Sequence, residues 1–179
     1  MPFRTEGLGV DAGLMSFIQD TKRKTFRDDC WHVATKVPVK VGDRYDVSVV
    51  LSEGEGVVQK LKIKRVQSEG NLVIESGCEN LIISDPCYII ADKHWGDFCN
   101  KLHDTEARDR QYPIFIEDHG VKVAVSGSGY GDGHYSCNIE TDDDGNLEEA
   151  YITFLTEDDR DPDGDLEEQW QEDDDEDEE

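Results

Sequence analysis

Apolar and polar residues alternate over much of the chain with the period of two that lines one face of a strand. Tyr45-Asp46-Val47-Ser48-Val49 alternates cleanly and residues 31–37 more weakly, while residues 57–66 set Lys60, Lys62 and Lys64 on one face against Leu61 and Ile63 on the other. Glycine-bearing turn clusters separate these runs at Val41-Gly42-Asp43, at residues 52–56 and at Ser68-Glu69-Gly70-Asn71. Strands this closely spaced, with no helix between them, predict a small antiparallel barrel or sandwich. Strand-like runs continue at residues 80–84, 87–90, 113–117, 121–126, 135–140 and 150–155, the last two joined through Asp142-Asp143-Asp144-Gly145-Asn146. Only one segment changes period. Over residues 92–103, Trp95, Phe98, Cys99 and Leu102 fall at i, i+3, i+4 and i+7, Asp92 is placed to cap the first turn, and Gly96 weakens the helix by about 1 kcal/mol relative to Ala. The expected fold is therefore mainly β, of the α+β class, with one main helix near 92–103.

A chain of 179 residues with 36% hydrophobic content holds one compact domain or two small ones. The reading along the chain gives an N-terminal β-rich part with a small barrel (1–76), a second β-rich part carrying the helix (77–156) and an acidic segment (157–179). Charge sharpens that last boundary. Residues 1–66 carry 12 basic and 9 acidic side chains, residues 67–156 carry 5 and 18, and residues 157–179 carry 1 and 16, within a net charge of −25. The final segment has only Leu166 and Trp170 as sizeable apolar residues, so it is expected to be a disordered acidic tail. No run approaches the roughly 18–20 apolar residues that span a bilayer, and the first residues lack the apolar core of a signal peptide. A cytoplasmic protein without membrane contact is the expectation. Five cysteines, Cys30, Cys78, Cys87, Cys99 and Cys137, form no Cys-x-x-Cys pair, so neither a disulfide framework nor a thioredoxin-like motif is expected, and reduced packing residues are.

Two stretches in the second half carry a signature: residues 80–88, ending Ser84-Asp85-Pro86-Cys87-Tyr88, and Ser128-Gly129-Tyr130-Gly131-Asp132-Gly133-His134-Tyr135, which leads toward the strand Ala150-Tyr151-Ile152-Thr153-Phe154. Together with Val10-Asp11-Ala12-Gly13 they resemble a bacterial and phage family known only as a domain of unknown function. The resemblance covers about half the chain, mostly 77–155. It implies a β-rich fold and a phage or mobile-element origin, and it supplies no activity. Separately, Pro38 to Val47 followed by Gly54-Glu55-Gly56-Val57 resembles the opening of TRAM-type RNA-binding barrels.

The residues themselves allow several chemistries. Pro86 fixes its own φ and pushes Asp85 into the extended region, while Gly129, Gly131 and Gly133 permit positive φ in a tight loop. Both motifs read as turns whose Asp side chains bond nearby amides. The sharper alternative is that they converge, with Asp85, Tyr88, Tyr130, Asp132 and His134 lining a ligand pocket. The glycines are no dinucleotide fingerprint, since no helix opens from them. Cys87, His94, Cys99 and His103 are zinc-type ligands at spacings that match no finger, and Cys99 sits on the apolar stripe of the helix, so no metal or other cofactor is expected. Residues 159–167 follow the order of a calcium loop, but Trp170 stands where the bidentate glutamate belongs. The basic groups Lys22, Arg23, Lys24 and Arg27, with Lys60, Lys62 and Lys64, are interleaved with Phe26 and Tyr45 and offer a phosphate-gripping, base-stacking face. Their plainer role is a solvated edge strand protected by lysine.

No catalytic motif of specificity is present, and among 43 acids no pair stands out as an acid–base couple. The leading expectation is a non-enzymatic binding protein whose acidic half and tail occupy a basic groove on a partner, in the manner of a nucleic-acid mimic or a phage-type host-directed inhibitor. The rivals are a nucleic-acid-binding module using the basic strand, and an enzyme or a small-ligand or metal-binding protein using the Asp85 and Asp132 loops. A tail that only keeps the chain soluble is the plain counter-reading.

Overall fold

A computed structural model describes residues 2–20, 34–54, 56–73, 79–104, 113–118 and 121–156. The order among them is β1 (Phe3–Val10), β2 (Leu14–Gln19), β3 (Thr35–Pro38), β4 (Arg44–Leu51), β5 (Val58–Val66), β6 (Leu72–Val73), β7 (Asn80–Ser84), α1 (Pro86–Ile89), α2 (Asp92–Asp104), β8 (Ile114–Asp118), β9 (Val121–Gly127), β10 (Gly133–Thr141) and β11 (Leu147–Thr153). The strands form two antiparallel sheets. Sheet A runs β1-β10-β11-β5-β4-β6 and sheet B runs β3-β7-β2-β9-β8. Neither sheet closes into a barrel, so of the two expected architectures the open one is found.

Burial explains which runs alternate. Sheet A buries one face, placing Leu8, Tyr45, Leu61, Ile63, Ile139 and Ile152 against Met15, Phe17, Leu81, Ile83 and Ala124 of sheet B. Sheet B buries its second face as well: Leu14, Ile18, Ile82, Val123 and Val125 pack with Ile89 and Ile90 around α1 and with Phe98 of α2. Trp95 stacks on Phe98 with ring centroids 5.5 Å apart. Each fully buried aliphatic or aromatic side chain contributes about 1.5–3 kcal/mol, so a strand covered on both faces gains from a continuous apolar run. Leu14-Met15-Ser16-Phe17-Ile18 is such a run, and all of β2 is buried.

Strands from before and after residue 77 share both sheets, so the boundary expected there runs through the middle of each. Of residues 87–90, expected as strand, the first three belong to α1 and only Ile90 is a bridge residue. Asp85 caps that helix and Pro86 stands at its first turn, where the missing N–H removes no hydrogen bond. The helix expected at 92–103 is α2, with Asp92 inside its first turn and Phe98 its one fully buried side chain. Strands β1 and β2 have no counterpart in the expected list.

Candidate functional site

Two chain crossings build one corner of the molecule. β1 leaves sheet A at Val10 and continues in sheet B as β2; β9 leaves sheet B at Gly127 and continues in sheet A as β10. The crossings touch, since Ser128 N–H donates to the Gly13 carbonyl at 3.1 Å. Gly13, Gly129 and Gly131 adopt φ of 64°, 68° and 112°, which side chains disfavour. Asp85 ties a third segment to them. Its Oδ1 accepts the Cys87 N–H at 2.9 Å, and its Oδ2 accepts the Asp11 and Ala12 N–H groups at 2.9 and 2.7 Å. The three stretches quoted above for their resemblance therefore meet at one place.

What they assemble differs from the pocket expected of Asp85, Tyr88, Tyr130, Asp132 and His134. Asp85 is fully buried with its carboxylate on three backbone amides, and it faces no solvent. Tyr88 does reach the surface of the corner. Its phenol donates to the Asp11 carboxylate, and burial, followed by that bond and the Asp11 charge, raises its pKa well above the ordinary tyrosine value. The hydroxyl lies 3.7 Å, and His134 Nε2 3.9 Å, from the point a Cβ on Gly9 would occupy. Gly9 and His134 are cross-strand partners, so the glycine leaves room for the phenol beside the imidazole. Tyr130 is 66% exposed and Asp132 is exposed, both at the outer tip of the loop. Ser128 and Tyr135 hydroxyls both donate to the Gly131 carbonyl at 2.8 Å and close that loop on itself. The corner's accessible polar set is thus Asp11, Tyr88 and His134. The sequence marks Asp11 only as part of the Val10–Gly13 motif and Gly9 not at all, and gives neither a site role, because their roles depend on Tyr88, some eighty residues away.

Outside the corner, the unburied face of sheet A carries the lysines. The register sets Thr5, Asn138, Tyr151, Lys62 and Ser48 in one cross-strand row, with Lys64 and Lys60 in the rows on either side. β5 lies between β11 and β4, so the idea that these lysines protect an edge strand is overturned. Lys62 and Lys64 share one carboxylate, Glu149, at 2.7 and 3.4 Å, and the Lys60 ammonium sits 4.7 Å from the centre of the Tyr151 ring. Partial burial would raise the Glu149 pKa, but the bonds from Lys62 and Lys64 outweigh it and hold the carboxyl below its usual range. Asp46 and Glu140 stand in the Lys64 row on the same face, so three carboxylates are set among the three ammonium groups. Tyr45, expected to stack on a base, is fully buried and donates to the Leu147 carbonyl at 3.1 Å. Lys22, Arg23, Lys24, Phe26 and Arg27 lie outside the described residues. Comparison with protein-family models, curated proteins and solved structures gives no match to this chain.

The far end of sheet A holds an ion cluster that the sequence did not advertise. Arg65 bonds to Asp142 at 2.9 Å, Glu148 at 2.9 Å and Asp43 at 3.3 Å, beside a cavity of about 270 Å³ lined by Gly42, Asp43, Arg44, Arg65, Val66 and Gln67. The Arg65 bond lowers the Asp142 pKa, helped by amide donors at Asn146 and Asp144. Three carboxylates on one guanidinium make this a clamp between loops, with its donors already engaged. Among the described residues no group of three or more His, Cys, Asp or Glu side chains is placed to hold a metal ion, and no helix is long and apolar enough to cross a membrane.

Proposed function

We propose that the chain is a non-enzymatic acidic binding protein that occupies a basic groove on a partner, the kind of groove that otherwise holds nucleic acid, as a phage-type host-directed inhibitor would. The observation that carries this reading is the charge at the C-terminus: the last eight residues are all acidic, in a segment with 16 acids to one base. An extended chain advances about 3.4 Å per residue, close to the 3.4 Å per phosphate of a DNA strand. In the described body Asp85 is held by three backbone amides and Asp43, Asp142 and Glu148 by Arg65, whereas the terminal segment concentrates 16 acids in 23 residues. A basic nucleic-acid-binding domain, immobilised with and without a DNA oligonucleotide, tests the proposal. The full chain is expected to compete with DNA, with an affinity that falls steeply with salt, and truncation after Thr156 is expected to weaken binding at least about tenfold. Unchanged affinity after truncation would reduce residues 157–179 to a solubility segment.

A second reading, a small-ligand protein, rests on the meeting of Tyr88, Asp11 and His134 over Gly9. Native mass spectrometry of the chain isolated from its host should then show an added mass that Tyr88→Phe and His134→Ala remove. Direct nucleic-acid binding is the weaker rival, because Tyr45 is buried and a molecule of net charge −25 repels polyanions at long range.

A further inference from the structure

Gly7 is a glycine that the fold does not ask for. It lies inside β1, is exposed, has no left-handed φ, and among the described residues nothing stands within 4 Å of the point a Cβ would occupy. β1 pairs with β10 in unbroken register from Phe3 to Val10, so no bulge explains it either. A glycine within a strand weakens it, and where neither bulge nor bend accounts for it, it marks a close approach to the backbone. Gly9 lies on the same face, and Tyr88 stands against it. The two glycines leave a shelf on the open face of sheet A, about 14 Å long from Gly9 to Thr5. β10 supplies its side, with His134, Ser136 and Asn138 opposite Gly9, Gly7 and Thr5. Thr5 Oγ1 donates to Asn138 Oδ1 at 2.9 Å, which orients the amide and leaves its nitrogen to donate. The His134 and Ser136 side chains are exposed and make no hydrogen bond among the described residues. Tyr88 closes the corner end, and because its proton goes to Asp11, the phenol oxygen is left to accept.

We propose that this shelf binds a neutral carbohydrate, a short oligosaccharide lying on Gly7 and Gly9 with its hydroxyls on His134, Ser136, Asn138 and Tyr88. This rests on the small-ligand reading of Tyr88, Asp11 and His134, and names the ligand's class and the floor beneath it. A sugar ring has an apolar C–H face, which suits bare glycine, and a rim of hydroxyls that each donate and accept, which suits mixed donors and acceptors. An anion fits poorly, since no lysine or arginine stands on these positions and the molecule carries a net charge of −25. A cation finds one carboxylate, Asp11, already bonded to Tyr88. Proton–nitrogen NMR titration of the full chain with maltotriose, cellotriose, chitotriose and xylotriose is the test. At least one is expected to shift the Gly7, Gly9, Ser136 and Asn138 amides, with a Kd on the order of a millimolar or below. Gly7→Thr, which sets a strand-favouring side chain in open space, should raise Tm by about 1–4 °C while weakening that binding at least about tenfold. No shift with any of the four sugars overturns the proposal. So does a Gly7→Thr chain that binds like the native one, or one that melts several degrees lower, since the fold would then require the glycine. If the sugars fail while a host-derived added mass is lost in Tyr88→Phe and His134→Ala but kept in Gly7→Thr, the corner reading stands and the carbohydrate proposal alone falls.

Discussion

Asp85 concentrates much of the corner in one side chain. A buried carboxylate is strongly unfavourable unless its oxygens are satisfied, and here three backbone N–H groups do so, one local at Cys87 and two from the distant Asp11–Ala12 segment. Asp85→Ala would strand those donors where water cannot replace the oxygens; a loss of at least about 3 kcal/mol in urea unfolding is expected, with Asp85→Asn milder because its amide keeps one acceptor. A loss below about 1 kcal/mol would show that the corner holds without it. The Asp-Pro pair made a turn legible from sequence alone, as did the glycines at 129 and 131. What Asp85 grips was not legible, because Asp11 and Ala12 lie more than seventy residues away and nothing local marks the pairing. Cys137 illustrates the opposite case, a residue whose chemistry follows from environment. Burial first, then the nearby Glu6 charge, pushes its thiol up to about 12, while Arg4 pulls it slightly back. The neutral thiol is therefore the folded form, and peptide-resolved alkylation at pH 8 should label Cys137 only at the rate of global unfolding, with the rate rising sharply in denaturant. Rapid labelling in native buffer would contradict that burial.

Elements with one open face were readable and those with two covered faces were not. β4 and β5 keep their outer positions in solvent, so Tyr45, Val47, Leu61 and Ile63 alternate with polar residues and announce themselves. β2 lies between sheet A and the helical layer, carries no alternation and escaped notice; β1, with Gly7 and Gly9 on its outer positions, has too few branched residues to read as strand. Residues 87–90 failed differently. Cys-Tyr-Ile-Ile has strand propensity, but the Asp85 cap and Pro86 impose one helical turn, and tertiary packing of Ile89 and Ile90 under α2 secures it. The Arg65 clamp joins three such elements, the loop before β4, β5 and the β10–β11 hairpin. Arg65→Met removes a partly buried hub, and a loss of about 1–3 kcal/mol at pH 7 is expected. The pH dependence has a definite sign: the Asp142 carboxyl titrates lower folded than unfolded, so the clamp's contribution is complete above the ordinary carboxylate pKa near 4 and fades as pH falls through the folded value. The gap between the native chain and Arg65→Met should hold from pH 7 to about 5 and narrow below about 4 in parallel denaturant titrations. A gap independent of pH would mean that Arg65 acts through packing of its stem alone.

At the scale of the whole molecule, strand order and charge divide the work. The two crossings at Gly13 and Ser128 lock sheets A and B together, and the core between the sheets and the one beneath the helices both draw on both halves of the chain. Residues 1–156 hold 17 basic and 27 acidic side chains, a net of −10, and residues 157–179 add −15. A segment so charged, with two isolated apolar residues, has little surface to bury and mainly adds self-repulsion. Truncation after Thr156 should therefore shift Tm by only a few degrees, and upward at low salt, where repulsion is least screened. The salt dependence tests the repulsion directly. If repulsion dominates, the Tm of the full chain climbs as salt rises from about 10 to 200 mM while the truncated chain changes less, because the Debye length contracts from about 30 Å to below 10 Å. A drop beyond about 5 °C that persists at high salt would place residues 157–179 within the cooperative fold and remove the electrostatic account of them.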